Sequence, residues 1–172
     1  MAQSGMRGTI DPRICNIAVD ANVYDTDGSS RDLLVVRLRK LSKPSGPLSV
    51  VIAGGVREEV RHHRTPGHVR NDVMGKIYNL RPAPNTEQRS VRRAVRAVLQ
   101  GNAQPGKHAA DASHLCEAAE TGCAYFITED KRLLAKRQEL EAYTRLTIVT
   151  LQEFMDVFDS FEDRDGRARA DA

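Results

Sequence analysis

Short apolar runs without polar alternation punctuate the chain. Residues 14–19 (ICNIAV), 48–53 (LSVVIA), 124–128 (AYFIT) and 146–150 (LTIVT) are rich in β-branched side chains and end at polar or turn residues. Runs of this length and composition predict strands buried on both faces. Between them the apolar spacing changes from continuous to helical. Gly28-Ser29-Ser30 offers a turn and an N-cap, Leu33, Leu34, Leu38 and Leu41 follow at helical steps, and Pro44, Gly46 and Pro47 end that segment. Gly54-Gly55 leads into a predicted helix over 56–63. Thr65-Pro66-Gly67 breaks the chain, and Val69, Val73, Ile77 and Leu80 mark another amphipathic helix.

Pro82 and Pro84 read as an extended linker. Asn85 with Gln88 three residues on is a capping-box pattern; it opens a helix through Leu99, and Gly101 stands at the C′ position. An Ala-rich helix is expected over 109–121, a further one from Asp130 through Leu140, and a last one over 151–158. Strands alternating with helices in this order predict an α/β layer fold around a mostly parallel sheet. In such sheets ligands bind beyond the carboxyl ends of the strands, so chemistry is expected just after each apolar run.

Length and composition narrow the class. With 172 residues, 40% hydrophobic and 28% charged, the chain suits one domain that folds without disulfide or metal staples. We place that domain at 14–158, with a flexible lead over 1–13 and a charged, frayed tail over 159–172. Cys15, Cys116 and Cys123 form no CxxC pair and read as buried reduced thiols. No apolar run approaches the ~18 residues of a membrane helix, and the N-terminus lacks the apolar core of a secretory signal. A cytoplasmic protein without membrane attachment is expected. Net charge is only +3, but 57–96 holds ten Lys and Arg against four acids, which points to a polyanionic partner.

The carboxylates fall where the sheet rule asks for them. Asp20 follows the first strand and Glu58 and Glu59 open the helix after the second. Asp111 starts the helix leading into the third strand, and Asp130 lies two residues beyond that strand. Each alone reads equally as a cap or a partner of a helix dipole. Together they can converge at one end of the sheet, where crowded carboxylates need a cation. Hard oxygen donors of this kind suit Mg²⁺ or Mn²⁺.

Four ordered segments carry a family resemblance. Ile17-Ala18-Val19-Asp20-Ala21-Asn22-Val23 resembles the opening motif of PIN-domain nucleases. Residues 50–60 (VVIAGGVREEV) are similar to that family's second strand and helix start, with Glu59 in the acidic position. Residues 108–121 (HAADASHLCEAAET) resemble its Ala-Asp-Ala helix and place Asp111. Residues 126–134 (FITEDKRLL) resemble its Thr-x-Asp segment and place Thr128 and Asp130. The likeness spans about 14–158, is strongest to VapC-type toxins, and departs at 66–107, where this chain carries a longer basic helical section.

The resemblance implies a three-layer α/β/α fold with four or five mostly parallel strands. It also implies a ribonuclease in which Asp20, Glu59, Asp111 and Asp130 hold one or two Mg²⁺ or Mn²⁺ ions. Asp20 and Asp111 would be the more direct ligands, with Asn22 and Thr128 in support. Implied partners are an RNA substrate, a cognate antitoxin and a second copy of the chain. From the residues themselves, Arg89, Arg93 and Arg96 share one stripe of the 86–99 helix, with Arg92 nearby, and form an RNA-binding surface or a solvated face. The five histidines leave room for a His/Asp transition-metal site around His108 and His114, or for a histidine general acid. Asn22 stands where a haloacid-dehalogenase-like phosphotransferase needs an acid. A non-catalytic RNA- or protein-binding module is the alternative to the nuclease.

Overall fold

The computed structural model describes residues 9–52, 67, 70–71, 83–104 and 106–170, apart from the side chains of 168–170. Ten elements of the described residues carry the labels used below. They are β1 (Asn16–Val19), α1 (Arg31–Leu41), β2 (Ser49–Val51), α2 (Thr86–Gln100), α3 (Ala109–Glu120), β3 (Cys123–Ile127), α4 (Lys131–Ala135), α5 (Arg137–Thr144), β4 (Thr147–Val149) and α6 (Leu151–Ala170). The four strands form one sheet, ordered β2-β1-β3-β4, and every neighbouring pair is parallel. The α/β architecture expected from the apolar runs is therefore present. The helices predicted over 56–63 and around 69–80 lie outside the described residues, save for helical Gly67, Arg70 and Asn71.

Strand geometry sorts the core into two halves, because successive side chains point to opposite faces. Ile17, Val19, Tyr125, Ile127 and Val149 meet Val35 and Leu38 of α1 and Leu151, Phe154, Met155 and Phe158 of α6. Ala18, Phe126 and Ile148 face the other way, toward Val95 and Leu99 of α2, Ala112, Leu115 and Cys116 of α3, Leu133 of α4 and Leu140 of α5. Helices thus cover both faces, which explains why the strands are apolar throughout rather than alternating. The pairing of β1 with β3 is irregular at its start: Asn16 aligns with Cys123 but Ile17 with Tyr125. The extra residue reverses the side-chain parity, so Cys123 joins the same half of the core as Phe126.

The capping box at Asn85 is formed in full: Gln88 N–H donates to the Asn85 side chain at 2.8 Å, and Asn85 N–H to the Gln88 side chain at 2.8 Å. A second box, absent from the sequence reading, starts α6. Thr150 N–H donates to Glu153 at 2.9 Å and Glu153 N–H to the Thr150 hydroxyl at 3.1 Å. The single helix expected from Asp130 through Leu140 is two. The backbone turns at Lys136, whose ammonium donates to the Val98 carbonyl and ties the corner to the end of α2.

Both ends of the described chain are better anchored than expected. The predicted tail from Asp159 onward is helix as far as Ala170. Arg37 pairs with Asp159, and Arg13 donates to Glu162 at 2.9 Å and Asp165 at 2.6 Å. Arg13 is itself held by Asp11 at 2.6 Å, Pro12 is buried, and the buried Tyr125 hydroxyl donates to the Ile10 carbonyl. The lead expected to be loose over 1–13 is therefore structured from Ile10. In α1, Leu34 lies against the core while Leu33 is 73% exposed, so not every apolar position of that helix faces inward. Among the described residues no helix is long and apolar enough to cross a membrane.

If Arg13 links the two ends, Arg13→Gln will free the last turns of α6 without unfolding the domain. Amide hydrogen exchange should accelerate over 160–167, while Tm falls by no more than about 2–4 °C. Unchanged protection there would refute the link.

Candidate active site

The order β2-β1-β3-β4 makes the gap between β1 and β3 the point where the chain switches faces of the sheet. That is where an open parallel sheet presents a crevice. Asp20 and Thr128 sit one residue beyond these two strands and extend the ladder. Asp20 N–H donates to the Ile127 carbonyl at 2.9 Å, and Thr128 N–H to the Val149 carbonyl at 3.0 Å. Their side chains consequently meet.

Asp20 Oδ2 accepts from the Thr128 hydroxyl at 2.8 Å and from Asn22 Nδ2 at 3.0 Å. Asn22 turns its other side-chain atom to the next segment, accepting from Glu129 N–H at 3.1 Å. Thr128 is fully buried, and its hydroxyl oxygen accepts from Asp130 N–H at 3.1 Å. Asn22 and Thr128 thus fix both the carboxylate of Asp20 and the backbone leading to Asp130. Burial pushes the Asp20 carboxyl above the ordinary aspartate range. The Thr128 hydroxyl and the nearby His114 oppose that shift, and the charge of Asp111 adds to it.

Asp111 and Asp130 share a cation supplied by the chain itself. Arg132 Nη2 lies 3.3 Å from Asp111 Oδ2 and 2.6 Å from Asp130 Oδ2. Arg132 Nε and backbone N–H both reach Asp130 Oδ1, at 3.2 and 2.8 Å. These bonds hold the Asp130 carboxyl below its usual range. Arg132 Nη1 is 2.7 Å from His108 Nδ1, which also lies 3.5 Å from Asp111 Oδ2. Since a guanidinium only donates, His108 Nδ1 is the acceptor. His108 is the N-cap residue of α3, so it and Asp111 do face one another, as a His/Asp site would require.

Three of the four expected acids therefore stand at the carboxyl end of the sheet, with Arg132 between two of them. The fourth, Glu59, lies outside the described residues, as do Glu58, His62, His63 and His68. Among the described residues no three of His, Cys, Asp and Glu stand close enough together to hold a metal ion. The donors are of the kind a hard cation takes: Asp111 and Asp130 offer carboxylate oxygens that one positive group, the Arg132 guanidinium, already bridges.

The arginine surface divides. Arg92 is bonded to Glu120 at 2.7 and 2.6 Å and serves to clamp α2 to α3. Arg89 folds back on the Pro84 carbonyl at 2.9 Å and the Thr86 hydroxyl at 3.1 Å. Arg93 and Arg96 are exposed, and all four line a groove of about 380 Å³ with Thr86. Since Glu120 follows Asp111 by nine residues, the Arg92 end lies about 14 Å along α3 from the acids.

Two further participants escaped the sequence reading. Arg31 donates to the carbonyls of Asn22, Val23 and Asp25 at 3.0, 2.8 and 2.6 Å, holding the turn that carries Asn22. Glu129 lies 3.5 Å from Arg31 and accepts from Leu151 N–H at 3.0 Å, joining that turn to α6. Cys116 and Cys123 are buried free thiols, as expected, whereas the free Cys15 is only partly buried; desolvation pushes Cys116 up to about 11. Comparison with protein-family models, curated proteins and solved structures finds no match.

A raised carboxyl pKa means that the folded state binds the proton more tightly than the unfolded chain. Stability then falls as pH rises above the ordinary aspartate range. Asp20→Asn should accordingly raise Tm at pH 7 in divalent-free buffer, with the gain closing as pH drops toward ~4. Thermal melts across pH test this, and a lower Tm for the variant at pH 7 would contradict it.

Proposed function

We propose that this chain is a metal-dependent endoribonuclease of the PIN-domain type, with Asp20, Asp111 and Asp130 as ligands for Mg²⁺ or Mn²⁺ and Glu59 as the fourth acid. The observation that carries the reading is the joint setting of Asp20. Its Oδ2 is held by Thr128 and Asn22 at the switch point of the sheet, within electrostatic reach of Asp111. A desolvated carboxylate held in one orientation at that crevice supports the reading.

When bound, such an ion supplies a water of lowered pKa and offsets charge on the phosphate. The chain's own residues hold and aim. Asn22 and Thr128 keep one oxygen of Asp20 occupied and fix the orientation of its carboxylate. Arg93 and Arg96 attract the sugar–phosphate backbone, with affinity falling as salt rises. In hydrolysis, water adds to phosphorus and the bond to the 3′ oxygen breaks. The leaving oxygen takes a proton, giving a 5′-phosphate and a 3′-hydroxyl. The exposed Leu33 and Val36 of α1 are the apolar positions on which an antitoxin or a second copy would rest. A toxin role belongs to this proposal.

One observation favours a second reading. Arg132 engages both Asp111 and Asp130, as in a module that keeps the fold for binding alone. A digest of short RNA with Mg²⁺ or Mn²⁺ separates the two. Wild type should cleave, Asp20→Asn and Asp111→Asn should each lose more than about 100-fold, and Thr128→Val about 10–100-fold. Equal cleavage by all these proteins would assign the activity to a contaminant, and a silent wild type would leave the binding module.

A further inference from the structure

We propose that Arg132 and a divalent cation compete for the same two carboxylate oxygens, so that binding of the cation displaces the guanidinium from Asp111 and Asp130. The inference rests on the metal-dependent reading above and adds to it a built-in competitor.

The geometry is direct. A single nitrogen, Nη2, lies 3.3 Å from Asp111 Oδ2 and 2.6 Å from Asp130 Oδ2. An ion of Mg²⁺ size binds carboxylate oxygens at about 2.0–2.1 Å. A cation held by both oxygens would meet the NH₂ group that already lies on both of them. Two like charges cannot occupy that space together. Arg132 is able to leave, because its side chain is 56% exposed. Its backbone need not move, since the N–H bond to Asp130 Oδ1 caps α4 independently of the guanidinium. Arg92 supplies the contrast: its pair with Glu120 is 22% and 17% exposed and serves to join two helices.

A tethered competitor lowers the apparent affinity for the cation by the fraction of time the oxygens are covered. By linkage, the cation must weaken the hold of the acids on Arg132 to the same degree. The cation-free chain is thereby spared a bare pair of acids.

The test titrates the EDTA-stripped full chain with MnCl₂ by calorimetry, for wild type, Arg132→Gln, Arg132→Lys and Asp111→Asn. Arg132→Gln should bind Mn²⁺ at least about fivefold tighter, the low end of typical coupling, and Arg132→Lys should fall between it and wild type. Arg132 is a surface group, so Arg132→Gln should fold, as a melt will verify. In parallel, nitrogen-15 NMR follows the guanidinium Nε–H signals during titration with MgCl₂. That of Arg132 should lose its protection while that of Arg92 stays. Arg132→Gln binding Mn²⁺ no tighter than wild type, or an Arg132 signal unmoved at saturating Mg²⁺, overturns the competition. If Asp111→Asn abolishes binding in that case, the metal-site reading survives alone. No Mn²⁺ binding by wild type or Arg132→Gln overturns both.

Discussion

Carboxylates gathered at one edge of a sheet repel each other, and a fold keeps them only where donors or positive charge offset the repulsion. Here the offsets are unequal. Asp20 has two hydrogen-bond donors, Thr128 and Asn22, with His114 nearby, and burial works against its charge. Asp130 has a guanidinium and a backbone donor, and its carboxyl is pulled down. Asp111 shares that same guanidinium at a longer distance. In the function proposed above, a cation from outside would complete that offset.

The sheet creates the arrangement, and the core creates the sheet. Because helices cover both faces, the strands are apolar throughout and polar groups are confined to the strand ends. The switch between β1 and β3 then brings two strand ends together from positions more than a hundred residues apart, and Thr128 reaches Asp20 across that gap. The ladder bond from Asp20 N–H to Ile127 sets the register, so an error of one residue there would turn Asp20 away from the crevice. Arg31 and Glu129 brace the two loops from the opposite side, linking the turn after β1 to the start of α6.

Much of this was legible in the letters because it rests on local rules. Apolar runs gave the four strands, Asn85 and Gln88 gave the start of α2, and the positions of Asp20, Asp111 and Asp130 relative to strand ends gave the end of the sheet on which they lie. Asn22 and Thr128 came instead from the resemblance to PIN-domain motifs, and both hydrogen-bond Asp20. What escaped depends on contacts distant in sequence. The break at Lys136 comes from a bond to Val98, and the persistence of α6 beyond Asp159 comes from Arg13 and Arg37. The extra residue in β3 shows only once β1 is beside it. Arg132 left one faint signal: Lys131 and Arg132 put two cations in the first turn of a helix, where exposed N–H groups disfavour them. A nearby acid was the natural reason, and Asp111 is 21 residues away.

The central claim is that Asp20, Asp111 and Asp130 form one cation site. Diffraction from crystals grown with Mn²⁺, recorded at the manganese absorption edge, tests it most directly. The account requires an anomalous peak among these three carboxylates, with the Arg132 guanidinium turned out of the gap between Asp111 and Asp130. Manganese absent from that end of the sheet, with Arg132 still bridging the two acids, would contradict it.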